Sequence, residues 1–477
     1  MIVVVSIAIA LALYNSSGLY AVKLPSHLTA MSQDLLAQIY NSFDPFEPLK
    51  AGDPAYVDCT EVRGDANILV DLGNKILRSD RMLCQLYAGH RGGGKSTELL
   101  RLKDHLEKKG CLVVYFAADE DDIDPEDVQY ADILLSCTRH LLQGLKEADP
   151  APILGWLGER WHDLKDLALT EVSFDKLSVE AQITQFAKLT ASIRAIPSER
   201  QKIRDRINPH TITLLKALNE FIDDAKRKLP KGKTHLVAIA DNLDRIVPIP
   251  QEHGRTNHDE IFVDRSQQLQ GLNCHVIYTI PISMVYSSRA SDLRDIYGDP
   301  QILPMVMVQT RDGEKDLDGI AKIIEIITKR INRPDANLAT DIFASAEGLQ
   351  RLCLMSGGHV RNLMLLVRSA IDYIDVLPIT DKAIQRSITQ ARDTYRRTVE
   401  QDEWELLAKV ADSKQIDNDE DYRKLLFNRC VLQYAYFDVD GELQPWYDVH
   451  PLIQGIQQFK DAAAQLAEKN KTKIIVS

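Results

Sequence analysis

The amino-acid sequence predicts an α/β fold in which a parallel sheet carries a helical insertion, a helical lid and a C-terminal unit of helices and a hairpin. Segments with helical spacing separate short, almost wholly apolar runs, as in parallel sheets whose strands are buried on both faces. These predicted strands cover residues 82–87, 111–116, 236–241, 275–281 and 302–308. A glycine-rich loop follows the first run, and Asp440-Gly441, a strong hairpin signal, separates two later apolar runs.

The glycine-rich loop is a candidate phosphate-binding motif. Residues 89–96 read Gly-His-Arg-Gly-Gly-Gly-Lys-Ser and fit G-x-x-x-x-G-K-[ST], the P-loop; a glycine-rich turn that binds nothing is the alternative. Glycines let backbone N–H groups approach phosphate oxygens, and the following helix adds the positive end of its dipole. We expect Lys95 to reach the β- and γ-phosphates of ATP and Ser96 to hold Mg²⁺. The predicted nucleotide-binding residues are Gly89, His90, Arg91, Gly92, Gly93, Gly94, Lys95, Ser96 and Thr97.

The third predicted strand ends in the sequence Asp241-Asn242-Leu243-Asp244. An apolar strand that delivers an Asp to its carboxyl end is the partner that a P-loop needs, because this Asp holds Mg²⁺ across from Ser96. A strand-ending Asp in a plain turn is the alternative. Asn242 can orient an attacking water but cannot accept its proton, and Asp244 can do so only if the turn presents it. The sequence therefore supports ATP binding better than fast hydrolysis.

The length, net charge and cysteine content of the chain limit the classes of function that it can have. The 477 residues give room for about two to four domains. A net charge of −12 argues against broad nonspecific binding to nucleic acid. The seven scattered cysteines form no CxxC pair, which indicates buried thiols in a reducing compartment and a cytoplasmic protein.

The N-terminal 14 residues are almost wholly apolar. The run is too short for a membrane span, and it lacks the basic residues that precede the core of a signal peptide. We expect residues 1–30 to be a dispensable extension upstream of a start at Met31, and no stable membrane insertion. A membrane anchor is the rival interpretation.

The remaining segments are assigned by their patterns. Residues 128–232 read as a mostly helical insertion, in which residues 170–186 are ambiguous and could carry a short hairpin. The acidic run from Asp119 to Asp127 reads as a solvated loop, because a calcium loop would need a Gly. We expect the polar tail after Phe459 to fray. The predicted divisions are an extension and arm at 1–54, a core at 55–312, a lid at 313–398, a C-terminal domain at 399–460 and a tail at 461–477.

The order of these motifs resembles that of the AAA+ ATPases over about residues 55–455. Residues 89–96 resemble Walker A, and residues 236–244 resemble Walker B. The resemblance implies that Thr279, at the end of the fourth strand, is the polar sensor 1 residue. It also implies that Arg361, in the segment Gly357-Gly358-His359-Val360-Arg361, is the sensor 2 arginine of the lid. Two helices followed by a hairpin resemble a winged-helix domain, as in the origin-initiator branch and in the STAND signalling ATPases.

The sequence departs from this family at two points. The family has Glu directly after the Walker B Asp, where this chain has Asn242. The arginine finger is also unassigned: Arg289 and Arg294 lie where the family often carries it, yet surface ion pairing is the role that we expect for each. The catalytic residues implied by the resemblance are Lys95, Asp241, Asn242, Asp244, Thr279 and Arg361.

The sequence is compatible with three classes of function. The first is a slow ATPase of STAND type, a switch in which ATP drives homo-oligomerisation or contact with a protein partner or effector chain, for example in bacterial defence or signalling. The second is an initiator-like DNA-binding ATPase, which is disfavoured because the candidate recognition helix, residues 419–429, has three acids and three bases. The third, an inactive scaffold, is disfavoured because Lys95, Ser96 and Asp241 are all present.

Overall fold

The computed structural model describes residues 26–164, 174–252 and 255–476. Its centre is a five-stranded parallel sheet with the strand order β2-β3-β4-β1-β5. The predicted α/β class is confirmed, and the carboxyl ends of all five strands lie at one edge of the sheet. The strands are β1 Cys84–Gly89, β2 Cys111–Ala117, β3 His235–Asp241, β4 His275–Pro281 and β5 Gln301–Leu303.

Both faces of the sheet are buried, as the continuous apolar runs predict. Successive side chains of a strand point to opposite faces. In β3, Ala238 and Ala240 belong to the core formed with the insertion, whereas Val237 and Ile239 belong to the core under the helix that follows β1. The sheet therefore lies between two apolar cores, one on each face.

Helices account for most of the remaining described chain. The predicted insertion is helical in the parts that the structure describes, and the lid is a helical bundle whose apolar core also includes residues of the N-terminal arm, such as Ile39 and Phe43. The helices of eight or more residues are Ser26–Ser42, Lys95–Lys108, Tyr130–Gly144, Ala151–Leu164, Val179–Ala195, Pro197–Ile207, Thr211–Arg227, Ala290–Tyr297, Leu317–Ile331, Ala346–Met355, Val360–Ile371, Asp381–Thr398, Glu403–Ser413, Glu420–Phe427 and Gln457–Val476.

The ambiguous stretch of the insertion contains a helix and no strand where the structure describes it. Helix Val179–Ala195 begins after Ser178, whose hydroxyl oxygen accepts the N–H of Ala181 at 3.3 Å. Such a cap satisfies one of the free N–H groups at a helix start. The suggested hairpin is therefore wrong for residues 174–186, and residues 170–173 lie outside the described residues.

The acidic run of residues 119–127 is only partly solvated. Asp119 and Asp122 are buried, so the prediction of a solvated loop is wrong for them, whereas Glu120, Glu126 and Asp127 are exposed. Asp122 is 1% exposed and pairs with Arg139 at 2.7 Å. Arg200, on an insertion helix, is 2% exposed and pairs with Asp124 at 2.6 Å and with Asp127 at 2.7 Å. A buried guanidinium needs such partners, because an unpaired buried charge is strongly destabilising. The acids therefore anchor the insertion to the end of β2.

The C-terminal unit has the predicted order of elements. Helices Glu403–Ser413 and Glu420–Phe427 precede an antiparallel hairpin of β6 Val431–Phe437 and β7 Leu443–Val449. The Asp440-Gly441 turn lies at its end, where Gly441 has a φ of +77°. The prediction of two helices and a hairpin is confirmed.

The tail is a helix, so the prediction that residues after Phe459 fray is wrong. Helix Gln457–Val476 runs to the end of the described chain. Phe459 is buried in the apolar core of the C-terminal unit, and Ala462 and Ala463 pack against that core. These apolar residues thus pack one face of a segment whose overall composition is polar.

The fifth strand is shorter than the predicted run of residues 302–308. It ends at Leu303 because Pro304 has no N–H to donate to a neighbouring strand. The next N–H groups bond elsewhere: Met305 donates to the Gln433 carbonyl oxygen at 2.9 Å and Met307 to that of Val62 at 3.0 Å. The segment after β5 therefore ties the sheet to the C-terminal hairpin.

No helix among the described residues has the length and apolarity to cross a lipid bilayer. The apolar N-terminal run lies outside the described residues.

Candidate functional site

The P-loop, residues 89–96, joins β1 to helix Lys95–Lys108, which we call the P-loop helix. Gly92 and Gly94 have φ angles of +84° and +112°, which residues with a side chain rarely adopt. A Cβ atom on Gly92 would also lie 2.7 Å from the Cβ of Arg361. The loop therefore needs Gly at both positions, and the strand, loop and helix that the motif requires are all present.

Lys95 is buried, and its ammonium group is held from three sides. Nζ donates to the carbonyl oxygens of Gly89 at 2.7 Å and His90 at 3.0 Å. It also pairs with Asp244 Oδ2 at 2.8 Å, and the two side chains are only 4% and 6% exposed. An ammonium group has three N–H donors, and these contacts use all of them. A phosphate at this loop must therefore compete with Asp244 for the lysine.

Asp241 lies at the end of β3 beside two hydroxyl groups. The Tyr115 hydroxyl donates to Asp241 Oδ2 at 2.7 Å, and the Asn242 N–H donates to Oδ1 at 2.7 Å. The Ser96 side chain acts on the same carboxylate and lowers its pKa, against the larger effect of burial. Burial, and then the charge of Asp244, raise the pKa of Asp241. A nearby cation would stabilise the ionised carboxylate that this environment disfavours.

The Ser96 and Asp241 oxygens are ligands of the kind that Mg²⁺ prefers. Within the described ranges, no group of three or more His, Cys, Asp or Glu side chains is arranged to hold a metal ion. Mg²⁺ commonly uses one or two carboxylates and takes its other ligands from water and phosphate. The predicted pair therefore fits Mg²⁺ bound together with a phosphate ligand.

The turn after β3 is supported by Thr279. Asn242 has a φ of +66°, a left-handed conformation that Asn tolerates better than most residues. Thr279 is fully buried, and its hydroxyl oxygen accepts the N–H of Leu243 at 2.9 Å. Thr279 is not among the residues that line the cavity over the P-loop. Its contact is thus with the turn that presents Asn242 and Asp244.

A cavity of about 100 Å³ lies over the P-loop. Ser96, Thr97, Asn242 and Asp244 line it, so the structure brings the two predicted motifs to one place. The basic side chains that line it are Arg91, Lys95, Arg245, Arg330 and Arg361, and the acidic ones are Asp44, Glu47, Glu120 and Asp244.

Arg361 lies at this cavity, as predicted for the lid arginine. Its Nε donates to the Pro45 carbonyl oxygen at 3.0 Å, and its guanidinium group lies 5.8 Å from the centre of the Phe46 ring. Burial, and then the charges of Arg245, Arg429 and Arg91, lower the pKa of Arg361 to about 10. Cations gathered in this way repel one another, so an anion in the cavity would stabilise them.

The arm that precedes the core crosses the P-loop helix and closes the cavity from one side. The Leu49 N–H donates to Thr97 Oγ1 at 3.2 Å. Further along, the Tyr56 hydroxyl donates to Glu98 at 3.2 Å. Phe46, which lines the cavity, remains 70% exposed. The arm is thus fixed to the start of the P-loop helix while it offers an aromatic ring to the cavity.

The lid and the C-terminal hairpin both contact the P-loop backbone. His359 Nε2 donates to the Arg91 carbonyl oxygen at 2.7 Å, and the Arg361 N–H donates to that of Gly92 at 3.1 Å. From the hairpin, the Gln433 N–H donates to His90 Nε2 at 3.0 Å. Burial, and then the charges of Lys95 and Arg429, lower the pKa of His90 to about 3, so its ring stays neutral and able to accept. The lid and the C-terminal hairpin thus both bond to the P-loop, although they are distant from it in the sequence.

Sequence reasoning missed three residues of this site. Arg63 is 6% exposed and donates to the carbonyl oxygens of Gly93 at 2.9 Å and Pro304 at 2.8 Å. Tyr115 contacts Asp241, and Arg245 pairs with Asp119 at 2.7 Å beside the cavity. Arg245 follows Asp244 directly, which is a local signal, whereas nothing in the sequence around Arg63 or Tyr115 indicates their contacts.

Arg289 and Arg294 form the surface ion pairs that we expected. Arg289 pairs with Asp264 at 2.6 Å and with Asp292 at 2.8 Å, and Arg294 pairs with Asp299 at 2.9 Å. Neither lines the cavity over the P-loop.

The solved structures that are similar to this chain include three proteins of archaeal sources. Cdc6p from Pyrobaculum aerophilum is 12% identical, with 89% of this chain and 98% of that chain covered and a TM-score of 0.37. The ORC2 protein of Aeropyrum pernix, in ADPNP–ADP complexes, is 10% identical, with 91% and 98% covered and a TM-score of 0.41. The ORC1 protein of Aeropyrum pernix, in complex with DNA, is 12% identical, with 83% and 90% covered and a TM-score of 0.34.

No family model matches the chain, and no curated protein matches it. At identities of 10–12% and TM-scores of 0.34–0.41, we transfer neither function nor partners from these three structures.

Proposed function

We propose that the chain binds ATP with Mg²⁺ at the P-loop and acts as a slowly hydrolysing nucleotide-dependent switch of the AAA+ or STAND type. The observation that carries this proposal is the cavity over the P-loop. There Lys95, Ser96 and the lid residue Arg361 face one volume, and Asp241 accepts a hydrogen bond from Tyr115, which also lines it. A triphosphate is the common ligand that combines several negative charges with Mg²⁺.

In this proposal each residue has a defined task. The P-loop amides bind phosphate oxygens, and Lys95 exchanges Asp244 for the terminal phosphates. Ser96 and Asp241 hold Mg²⁺, which would neutralise charge that develops on the phosphates. Arg361 brings a positive charge from the lid.

The switch is proposed from the contacts around the P-loop. A cavity of about 100 Å³ is smaller than the roughly 300–1,000 Å³ of typical small-molecule sites. Entry of ATP therefore requires the arm, the lid or the hairpin to move. His359 and Gln433 both bond to the loop, so such a movement shifts the lid and the C-terminal unit relative to the core. The surface released in this way is where we place contact with a protein partner or a second copy of the chain.

The Mg²⁺ assignment predicts that Asp241→Asn removes the metal dependence of nucleotide binding. Asn keeps the shape of the side chain but lacks the charge that attracts the ion. We expect Mg²⁺ to raise the affinity of wild type for a fluorescent ATP analogue and to leave the variant unchanged, as measured by fluorescence titration with Mg²⁺ and with EDTA. Asp292→Asn, on the surface, is the matched control. An Asp241→Asn protein with the wild-type Mg²⁺ response would remove Asp241 from the site.

An initiator-like DNA-binding ATPase is the alternative function, and the helix-and-hairpin unit is what favours it. The charges of this C-terminal unit argue against binding to duplex DNA. In the candidate recognition helix, Lys424 is engaged by Glu400 at 2.7 Å and Glu403 at 3.1 Å. The end of the hairpin carries the acids Asp438, Asp440 and Glu442. Duplex binding needs cations free to neutralise phosphates.

We therefore expect no tight binding of the full chain to duplex DNA. In a gel-shift assay at physiological salt, the dissociation constant should stay above about 1 μM, the range of nonspecific binding. The assay is run with and without ATP and Mg²⁺, because a switch could expose a hidden surface. Submicromolar binding that weakens steeply with salt would favour the initiator function over the switch.

A further inference from the structure

A second cavity, of about 360 Å³, lies between two helices of the lid, Val360–Ile371 and Asp381–Thr398. The turn that carries Asn428 and Arg429 also lines this lid cavity. Its volume falls within the range of roughly 300–1,000 Å³ that small-molecule sites occupy.

The lining of the lid cavity suits an organic anion. The described residues that line it include no Asp or Glu, although the whole chain contains 69 acids and has a net charge of −12. Leucine side chains and the ring of Tyr395 give it an apolar wall. Side-chain amides and hydroxyls supply polar groups, among them Asn362, Ser369, Gln390 and Thr394.

Arg429 is the cation of the lid cavity. Among the described residues its guanidinium group has no hydrogen-bond or ion-pair partner, and its Nε is buried without one. Its backbone has a φ of +60°, a strained conformation that Gly or Asn would adopt more easily. A buried, unpartnered guanidinium nitrogen is costly, and a carboxylate or phosphate would satisfy it with two parallel hydrogen bonds.

We propose that the lid cavity binds a small organic anion, a carboxylate or phosphate monoester with an apolar or hydroxylated body, through Arg429. Arg429 lines the lid cavity and not the cavity over the P-loop, although its charge acts on His90 and Arg361 beside the P-loop. Binding of the anion does not depend on the proposed nucleotide function.

The position of the lid cavity also makes it an effector site, a role that does rest on the proposed nucleotide function. Helix Val360–Ile371 directs Arg361 to the P-loop cavity and Asn362 and Ser369 to the lid cavity. An anion that orders this helix changes the position of Arg361, and coupling between the two ligands is then reciprocal.

The test uses phenyl phosphate and benzoate as probes, with benzyl alcohol as the neutral counterpart, and saturation-transfer NMR on the full chain. Both anions should bind wild type, and the alcohol should bind much more weakly. Arg429→Gln should weaken the binding of the anions at least about tenfold, the loss expected for a hydrogen bond to a charged group. Ser369→Phe fills the cavity without touching Arg429 and should also abolish binding.

Two control variants separate the lid cavity from other sites. Arg423→Gln removes a cation of the same unit that does not line the lid cavity, and Lys95→Gln removes the P-loop cation; both should retain benzoate binding. Circular dichroism confirms that each variant is folded. Anion binding that survives Arg429→Gln, that is lost in Lys95→Gln, or that is absent from wild type for both probes overturns the proposal. A benzoate-induced shift in affinity for an ATP analogue, absent in Arg429→Gln, tests the effector role separately.

Discussion

Replacing Lys95 by Ala will weaken the binding of a fluorescent ATP analogue at least about tenfold, because a hydrogen bond to a charged group contributes roughly 1.5–3 kcal/mol. We propose that Lys95, which lines the cavity over the P-loop, meets the terminal phosphates. Its hydrogen bonds to the carbonyl oxygens of Gly89 and His90 hold Nζ against the loop.

The structure adds a consequence for stability. Lys95 and Asp244 form a pair that is almost wholly buried. Lys95→Ala leaves the Asp244 carboxylate without its cation, and breaking one side of a buried pair costs about 3–5 kcal/mol. A loss of nucleotide binding in this variant could then reflect unfolding, so the single substitution is not a sufficient test.

The double variant Lys95→Ala with Asp244→Asn separates the two effects, because it removes both charges together. We expect it to regain most of the stability that the single variant loses, measured by urea unfolding, without regaining nucleotide affinity. Lys103→Ala, on the outer face of the P-loop helix, is the matched control for loss of a lysine. Wild-type affinity in the folded double variant would refute the P-loop assignment.

The local parts of this fold could be predicted from sequence. The strands β1, β2, β3 and β4 are continuous apolar runs, and the P-loop is a contiguous motif whose glycine positions are dictated by backbone geometry. The hairpin signal at Asp440-Gly441 is local as well. In each case the residues that determine the structure are neighbours in the chain.

The errors have a common physical cause, which is contact between distant segments. Asp124 and Asp127 are held by Arg200 and Arg204, which come from a helix 73 to 77 residues later in the chain. The tail is helical because Phe459 finds an apolar core in the C-terminal unit. Neither partner is visible from the local sequence.

The same limit applies to the candidate site. Sequence motifs predict which residues would meet the phosphates, but the structure alone shows that the arm lines the cavity over the P-loop and that the lid and the hairpin bond to the loop. It also gives Thr279, which the resemblance implies is the sensor 1 residue, a contact with the turn at Leu243. A motif predicts where such a residue lies along its strand, but it does not predict which groups the side chain contacts.

Removing Asp244 will slow ATP hydrolysis while it tightens the binding of ATP. The isolated chain should turn over below about 1 s⁻¹, the low end of ordinary enzyme rates, because Asn242 cannot accept the proton of the attacking water. Asp244 lines the cavity, as do Asp44, Glu47 and Glu120, and pairs with Lys95 Nζ at 2.8 Å. We propose that Asp244 takes that proton, because it lies on the same turn as Asn242. Loss of a general base typically costs about 10²–10⁴ in rate.

We expect the affinity for ATP to rise in Asp244→Ala, and the reason is the ion pair between Asp244 and Lys95. Asp244 competes with the phosphates for Lys95, so Asp244→Ala frees the ammonium group for the nucleotide. Single-turnover kinetics with a labelled ATP and a separate titration of the non-hydrolysable analogue measure the two quantities. Asp264→Ala, which removes a carboxylate that pairs with Arg289 away from the cavity, is the control and should not tighten binding.

Asn242→Glu supplies the carboxylate that the related motif carries, and we expect it to raise the rate. The gain is limited by the backbone, because Asn242 has a φ of +66° and a longer side chain without the local hydrogen bonding of Asn is strained there. A fast wild-type ATPase that Asp244→Ala leaves unchanged in both rate and affinity would mean that the base lies elsewhere. In that case the Lys95–Asp244 pair would serve stability alone, and the slow-switch proposal would lose its main support.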